Sequence, residues 1–312
     1  MLTPSLMKTL VFATRPSSLA RWQTQWVIQA LQQVYPELEC QEKIITTQGD
    51  RILDRPLPEI GGKGLFTQEL EAELLTGQVH AAVHSLKDLP VENPPGLIIG
   101  AVPARADCGD VLVSRQAHSL DSLPPSAIVG TSSLRRGAQL LAYRPDLEIR
   151  PLRGNVDTRI RKAMDGEYDA IVLASAGVTR LGLESHVSQY LPLEIMLPAP
   201  GQGALAVQCQ ADDGETLEIL AVIEDPDTRS ATTAERAFLT HLGGGCSLPV
   251  AAFANADGSG IELQGLVSST DGKTVIHCRG WGQDPEELGQ ECALQAIDQG
   301  AAEILRLESH DV

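Results

Sequence analysis

Up to about residue 210 the chain alternates short β-rich apolar runs with stretches whose apolar residues recur every three or four positions. That alternation predicts parallel sheets covered by helices, an α/β architecture. A first strand is predicted at 9–13. Leu19, Trp22, Trp26, Val27, Ala30, Leu31 and Val34 then fall on one helical face that ends before Pro36, and both Trp side chains are expected in the core. Further strands are predicted at 43–46, 81–84, 97–102, 111–113, 127–130, 147–151, 170–174 and 204–209, with helices at 66–75 and 133–143 among them. The segment 47–64 is rich in Gly, Pro and charge and has no clear period, which in a compact domain predicts a lid. The pattern changes near Asp225-Pro226. A helix over 234–242, β-type runs at 251–254, 261–267 and 275–278, and a long helix over 285–307 predict a smaller α+β unit.

Length and charge then narrow the classes. A chain of 312 residues has room for two or three domains. Twenty-four Lys and Arg against 41 Asp and Glu give a net charge of −17, which argues against nucleic acid or an anionic membrane as partner. Cys40, Cys108, Cys209, Cys246, Cys278 and Cys292 lie far apart with no CxxC or Cys/His spacing, so neither a metal site nor a disulfide framework is expected. The apolar run at 10–13 is too short for a secretory signal, and no window reaches a membrane-spanning length. These features predict a soluble protein of a reducing, cytoplasmic compartment.

Chemistry concentrates where predicted strands end. Gly130-Thr131-Ser132-Ser133-Leu134-Arg135-Arg136 puts a glycine, three hydroxyls and two guanidiniums at a strand-to-helix turn. Such a turn serves equally as an anion cradle or as an ordinary helix cap followed by solvated arginines. Arg150, Arg153-Gly154-Asn155, Arg159 and Arg161 follow at the next such turn. In so acidic a chain, basic residues at successive strand ends point to a local anion pocket in the crevice of an open α/β sheet. Lys87 and Asp88 stand side by side after a short apolar strand, either as a loop ion pair or as an anion-holding cation beside a carboxylate that stabilises a developing cation. His84 reads as a satisfied buried side chain. Gly61-Gly62-Lys63-Gly64 lacks the Walker pattern, and Gly201-Gln202-Gly203 reads as a turn, so a nucleotide site is disfavoured. Cys246 lies on the bare loop Gly243-Gly244-Gly245-Cys246, open to a buried apolar or an exposed reactive role.

Taken in order, Ala13-Thr14-Arg15, Gly61 to Phe66, His84 to Pro90, Gly130 to Arg136, Leu152 to Val156, Leu197-Pro198-Ala199, Gln202-Gly203 and Gly244-Gly245-Cys246 resemble the porphobilinogen deaminase (hydroxymethylbilane synthase) family over nearly the whole chain. The resemblance implies a transferase of tetrapyrrole biosynthesis that joins four porphobilinogen molecules head to tail, releases ammonia each time and frees linear hydroxymethylbilane. By that resemblance Cys246 carries a dipyrromethane cofactor through a thioether, and Asp88 is the catalytic carboxylate. Lys87, Thr131, Ser132, Ser133, Arg135, Arg136, Arg153 and Gly154 would hold the cofactor, while Arg15, Ser17, Lys63, Arg159, Arg180 and Gln202 would hold substrate. It also implies a monomer of three α/β domains. The first two, 1–103 with 201–221 and 108–197, resemble the lobes of type II periplasmic binding proteins, and the third, 226–312, carries the cysteine. A two-lobed anion-binding module without catalysis is the rival reading, and it has no need of Cys246.

Overall fold

The computed structural model describes residues 9–51, 64–244 and 248–308. Lys63, Cys246 and most of the predicted lid at 47–64 lie outside them.

The first lobe opens with β1 (Thr9–Thr14) and α1 (Ser18–Val34), which Ser17 starts by accepting from the Ala20 amide at 3.3 Å. Val27, Ile28 and Leu31 of α1 pack on Leu10 and Phe12 of β1. They fill the face toward the sheet, so Trp22 stands on the exposed flank and Trp26 is only half-buried, contrary to the expectation for both. The second strand also differs from expectation. It is β2 (Glu39–Ile44), paired in parallel with β1 from Thr9↔Glu39 to Thr14↔Ile44, and not 43–46. As an edge strand it has no buried side to reveal it in the sequence. A helical turn α2 (Gln48–Arg51), α3 (Gln68–Leu75), β3 (Ala81–Ser85) and β4 (Leu97–Ala101) complete the outward half of this lobe.

The chain then builds the second lobe from β5 (Asp110–Val113), β6 (Ile128–Gly130), α4 (Leu134–Tyr143), β7 (Glu148–Arg150), α5 (Val156–Met164), β8 (Ala170–Ala174), α6 (Ser175–Arg180) and β9 (Gln189–Leu191). It returns to the first lobe as β10 (Leu205–Gln210) and α7 (Gly214–Leu220). The two sheets share one plan, β2-β1-β3-β10-β4 and β7-β6-β8-β5-β9. In each, three parallel strands are followed by one antiparallel strand supplied by the chain as it arrives from the other lobe, β10 in the first and β5 in the second. Each sheet therefore takes its fourth strand from the hinge, with β4 or β9 at the edge outside it. The two crossings run side by side, with the Ala106 amide on the Gly203 carbonyl at 3.3 Å. Gly203 has φ +87°, and a Cβ there would lie 2.5 Å from the Ala106 oxygen, so this close approach requires glycine.

The third unit packs α8 (Pro226–His241), α9 (Pro285–Asp298) and α10 (Ala301–Glu308) on the antiparallel meander β11 (Val250–Asp257), β12 (Gly260–Ser268) and β13 (Val275–Gly282). Helix α8 starts eight residues before the predicted 234, because Asp225 caps it through the Thr228 amide at 2.8 Å and Pro226 occupies its first turn. The predicted helix over 285–307 is two helices, broken where Gly300 adopts φ +102°. The observed architecture is the expected one, two α/β lobes and a smaller α+β domain. Among the described residues no helix is long and apolar enough to cross a membrane.

Candidate active site

Strand β3 ends in a tight turn, Leu86–Asp88, whose Lys87 and Asp88 feel the charges of Arg135, Arg136 and Arg159 in the second lobe. Leu86 and Leu89 are buried among Val102, Ala204 and Ala206, and the Leu86 amide donates to the Ala204 carbonyl at 3.0 Å. Apolar anchors on both sides thus leave Asp88 exposed. It opens on a cleft of about 60 Å³ lined by Arg15, Ser17, Gln23, Phe66, His84 and Ser85. Arg15 pairs with Asp50 at 2.5 Å and lies 4.1 Å from the centre of the Phe66 ring. His84 is buried as expected, with the Gln208 side chain as its hydrogen-bonding neighbour. Burial and the nearby Arg15 charge push the imidazole down to about 4, so it is neutral at physiological pH.

The hydroxyls at the end of β6 shape the turn. Thr131 Oγ1 accepts from the Ser133 amide at 3.1 Å, Ser132 Oγ donates to the Leu152 carbonyl at 2.9 Å, and Ser133 caps α4 by accepting from the Arg136 amide at 3.4 Å. The helix they start turns Arg135 and Arg136 inward onto Asp110, at 2.8 and 2.7 Å. Asp110 is fully buried. Burial alone would raise its pKa, but the two guanidiniums hold the carboxyl well below the usual carboxylate range. Arg135 also donates to the Leu197 carbonyl at 2.7 Å, and Arg136 to the Val172 carbonyl at 3.2 Å. Both arginines therefore have protein partners already, yet Nε of Arg135 and Nη1 of Arg153 are buried without a hydrogen-bond partner among the described residues.

Two further basic residues, Arg159 and Lys87, lie close enough to this pair to feel its charge. Arg159 donates to the Gly154 carbonyl at 2.7 Å, and burial with Arg136 and Arg153 nearby pushes it down to about 10, against the attraction of Asp88. Burial lowers Lys87 to about 8, with Arg136 and Arg135 adding to the effect and Asp88 and Asp110 opposing it. Arg180, also lowered to about 10 by burial, donates to the Gly203 carbonyl at 2.7 Å and lies 5.7 Å from the centre of the Trp22 ring. Gln202 does not face the cleft. It is fully buried in the hinge, where its amide nitrogen donates to Cys108 O at 2.7 Å and to Asp110 Oδ1 at 3.0 Å, and its oxygen accepts from Lys87 at 3.2 Å.

Three residues that matter here escaped the sequence reading. Asp110 stood only as the residue before an apolar strand. Glu235, fully buried on α8, takes both ends of the Arg105 guanidinium at 2.6 and 3.1 Å and also accepts from the Gly201 and Ala254 amides, so it ties hinge and third domain together. Arg236 reaches the turn after Asp88. An acidic residue beside apolar neighbours was the available signal for Asp110 and for Glu235.

These features define a class: a two-lobed, hinged α/β protein with a cation-lined cleft, an exposed carboxylate at its edge and a third domain docked on the first lobe. Residues 10–218 match the family model described as the dipyrromethane cofactor-binding domain of porphobilinogen deaminase, and residues 230–298 match its C-terminal domain. The chain belongs to the porphobilinogen deaminase family. It is 51% identical over 293 residues to the porphobilinogen deaminase of Brevibacillus brevis, covering 94% of this chain and 95% of that one. It is 48% identical to that of Geobacillus kaustophilus, covering 96% of this chain and 97% of that one, and 45% identical to that of Bacillus subtilis, covering 96% of each. Among solved structures, the VFT2 domain of Bordetella pertussis BvgS is similar over 69% of this chain and 86% of its own, with 16% identity and a TM-score of 0.42.

Dipyrromethane is the cofactor of this family's domain, and the residues present fit such a group. A multiply carboxylated ligand needs charged donors that the protein leaves unspent, and Nε of Arg135 and Nη1 of Arg153 are of that kind.

Proposed function

We propose that this chain is a hydroxymethylbilane synthase, joining four porphobilinogen molecules with loss of ammonia on a dipyrromethane attached to Cys246. The observation that carries this reading is the cluster of buried or half-buried cations in a chain of net charge −17: Lys87 and Arg159 feel the charge of Asp88, and Arg135, Arg136 and Arg153 lie next to those two. Burial lowers the pKa of Lys87 and of Arg159, so the protein holds these charges at a free-energy cost that bound carboxylates would offset.

Within this reading Arg135, Arg136, Arg153 and Lys87 hold the cofactor's acetate and propionate groups, with Thr131, Ser132, Ser133 and Gly154 shaping the turns that aim them. Bound dipyrromethane supplies a nucleophilic pyrrole carbon from which the chain is extended. Arg15, Ser17, Lys63, Arg159 and Arg180 orient the incoming substrate's carboxylates, and Gln202 acts through Lys87. Asp88 sits beside the pyrrole nitrogen of the substrate. Its charge stabilises the cation left when the C–N bond of the aminomethyl group breaks and ammonia departs. The same carboxylate then accepts the proton lost from the pyrrole carbon when the new C–C bond has formed.

The lobes, 1–103 with 201–221 and 108–197, would move about the two crossings, with 226–312 carrying the cysteine. We place the protein in the cytoplasm as a monomer, with no nucleic-acid or membrane partner. Support comes from the net negative charge and from Cys40, Cys108, Cys209, Cys278 and Cys292, all of them free thiols. The test is the intact mass of the purified protein beside its Cys246→Ser variant, with ammonia release on adding porphobilinogen. A mass excess of two linked pyrroles that vanishes in the variant is expected. An unmodified wild type that stays unmodified and releases no ammonia with porphobilinogen would return the chain to the anion-binding module.

A further inference from the structure

Arg236 is where the third domain grips the turn that carries Asp88. Half-buried on α8, its guanidinium donates to three successive main-chain carbonyls, Leu89 at 3.1 Å, Pro90 at 2.7 Å and Val91 at 3.2 Å. These are the residues that directly follow Asp88. The near side of the same turn is held by the first lobe, through the Leu86 amide on the Ala204 carbonyl. Asp88 therefore projects from a turn fastened at both ends, and one fastening belongs to another domain.

The same helix leads to the cofactor loop. Helix α8 is followed by Gly243 and Gly244, with φ of +98° and +56°, and the Gly244 amide donates back to the Leu239 carbonyl at 2.9 Å. A Cβ on Gly244 would lie 3.4 Å from Val91 Cγ2, so the loop leaves the helix beside the segment that Arg236 holds. Cys246 follows two residues later. Docking of the third domain does not depend on this arginine. Glu235 on Arg105, Thr228 Oγ1 accepting from the Arg105 amide at 3.1 Å, and Arg229 on the Ile99 carbonyl at 3.2 Å already bind α8 to the first lobe and hinge. What Arg236 adds is a planar fork that spans several carbonyls at once, a geometry that a lysine ammonium cannot reproduce.

We infer that Arg236 is a positioning residue for the reaction: it sets the Asp88 turn against Gly244, just past the C-terminal end of α8 and two residues before Cys246 in sequence, so that the carboxylate and the growing chain meet in register. This rests on the function proposed above. The test compares wild type, Arg236→Gln and Arg236→Lys by intact mass, by hydrogen exchange of the peptide covering 85–91, and by steady-state kinetics. Arg236→Gln is expected to keep the pyrrole mass excess, to exchange faster at 85–91, and to lose roughly tenfold or more in kcat with KM within about twofold, as a misplaced reacting group would. Arg236→Lys should recover part of kcat, and if Arg236→Gln does not fold, this variant decides by the same readouts. A kcat close to wild type, unchanged exchange at 85–91, or loss of the mass excess in the variant alone would each overturn the inference. A wild type without the mass excess would overturn the function on which it rests.

Discussion

Lys87 donates to the side-chain oxygen of Gln202 at 3.2 Å, across 115 positions of sequence. The other end of Gln202 donates to Asp110, and Asp110 holds Arg135 and Arg136. A continuous polar chain thus runs from the Asp88 turn of the first lobe, through the hinge, to the basic helix start of the second. Every link is buried or half-buried, so each is far less screened by solvent than a surface pair.

Asp88 attracts Lys87 and Arg159, but its carboxylate is not what holds its own turn in shape. It is exposed, and its turn is anchored by Leu86, Leu89 and Arg236. Asp88→Asn is expected to unfold at the same denaturant concentration as wild type while kcat falls by roughly 100-fold or more, the usual scale for removing an acid-base carboxylate. Turnover within a few-fold of wild type would remove Asp88 from the chemistry.

Asp110 behaves differently, because its loss leaves two buried guanidiniums facing one another. Asp110→Asn should cost about 3–5 kcal/mol, the range for breaking a buried ion pair from one side. Urea unfolding measures this directly, and a change below about 1 kcal/mol would mean that the arginines swing out to water on losing their partner. The sign of the pH dependence follows from the lowered pKa. Its contribution is complete above the ordinary aspartate pKa and is lost only as the pH falls below that value in strong acid.

Lys87 titrates within reach of ordinary assays. Burial holds it at about 8, so it is charged below that pH and progressively neutral above it. If it holds a cofactor carboxylate, uptake of pyrrole mass from porphobilinogen by the cofactor-free protein should slow severalfold between about pH 7 and 9, and Lys87→Met should be slow throughout with no such limb. A wild-type uptake rate that is flat across this window, or the same limb in the methionine variant, would assign the titration elsewhere.

Much of the architecture was legible along the chain because it rests on local repetition. The three- and four-residue period of α1, the apolar runs of β3 and β8, and the Gly-hydroxyl-Arg sequence before α4 each report a neighbour-to-neighbour constraint. The motif order from Arg15 to Cys246 was likewise enough to point to the family. Edge strand β2, the first half of α8 and the break at Gly300 were not legible. Their positions are decided by what lies against them or by backbone geometry, and not by a period of their own.

The site divides along the same line. From the sequence alone came which residue types stand at the strand ends, and with them the expectation of a carboxylate beside a cluster of cations. Only the tertiary structure decided which of those cations are already paired, that Gln202 is a buried bracket of the hinge, and that α8 of the third domain grips the turn after Asp88. The physical reason is that charge pairing and hydrogen bonding act between groups close in space. Asp110 with Gln202, and Arg236 with Pro90, lie 92 and 146 residues apart, so no spacing along the chain could announce them.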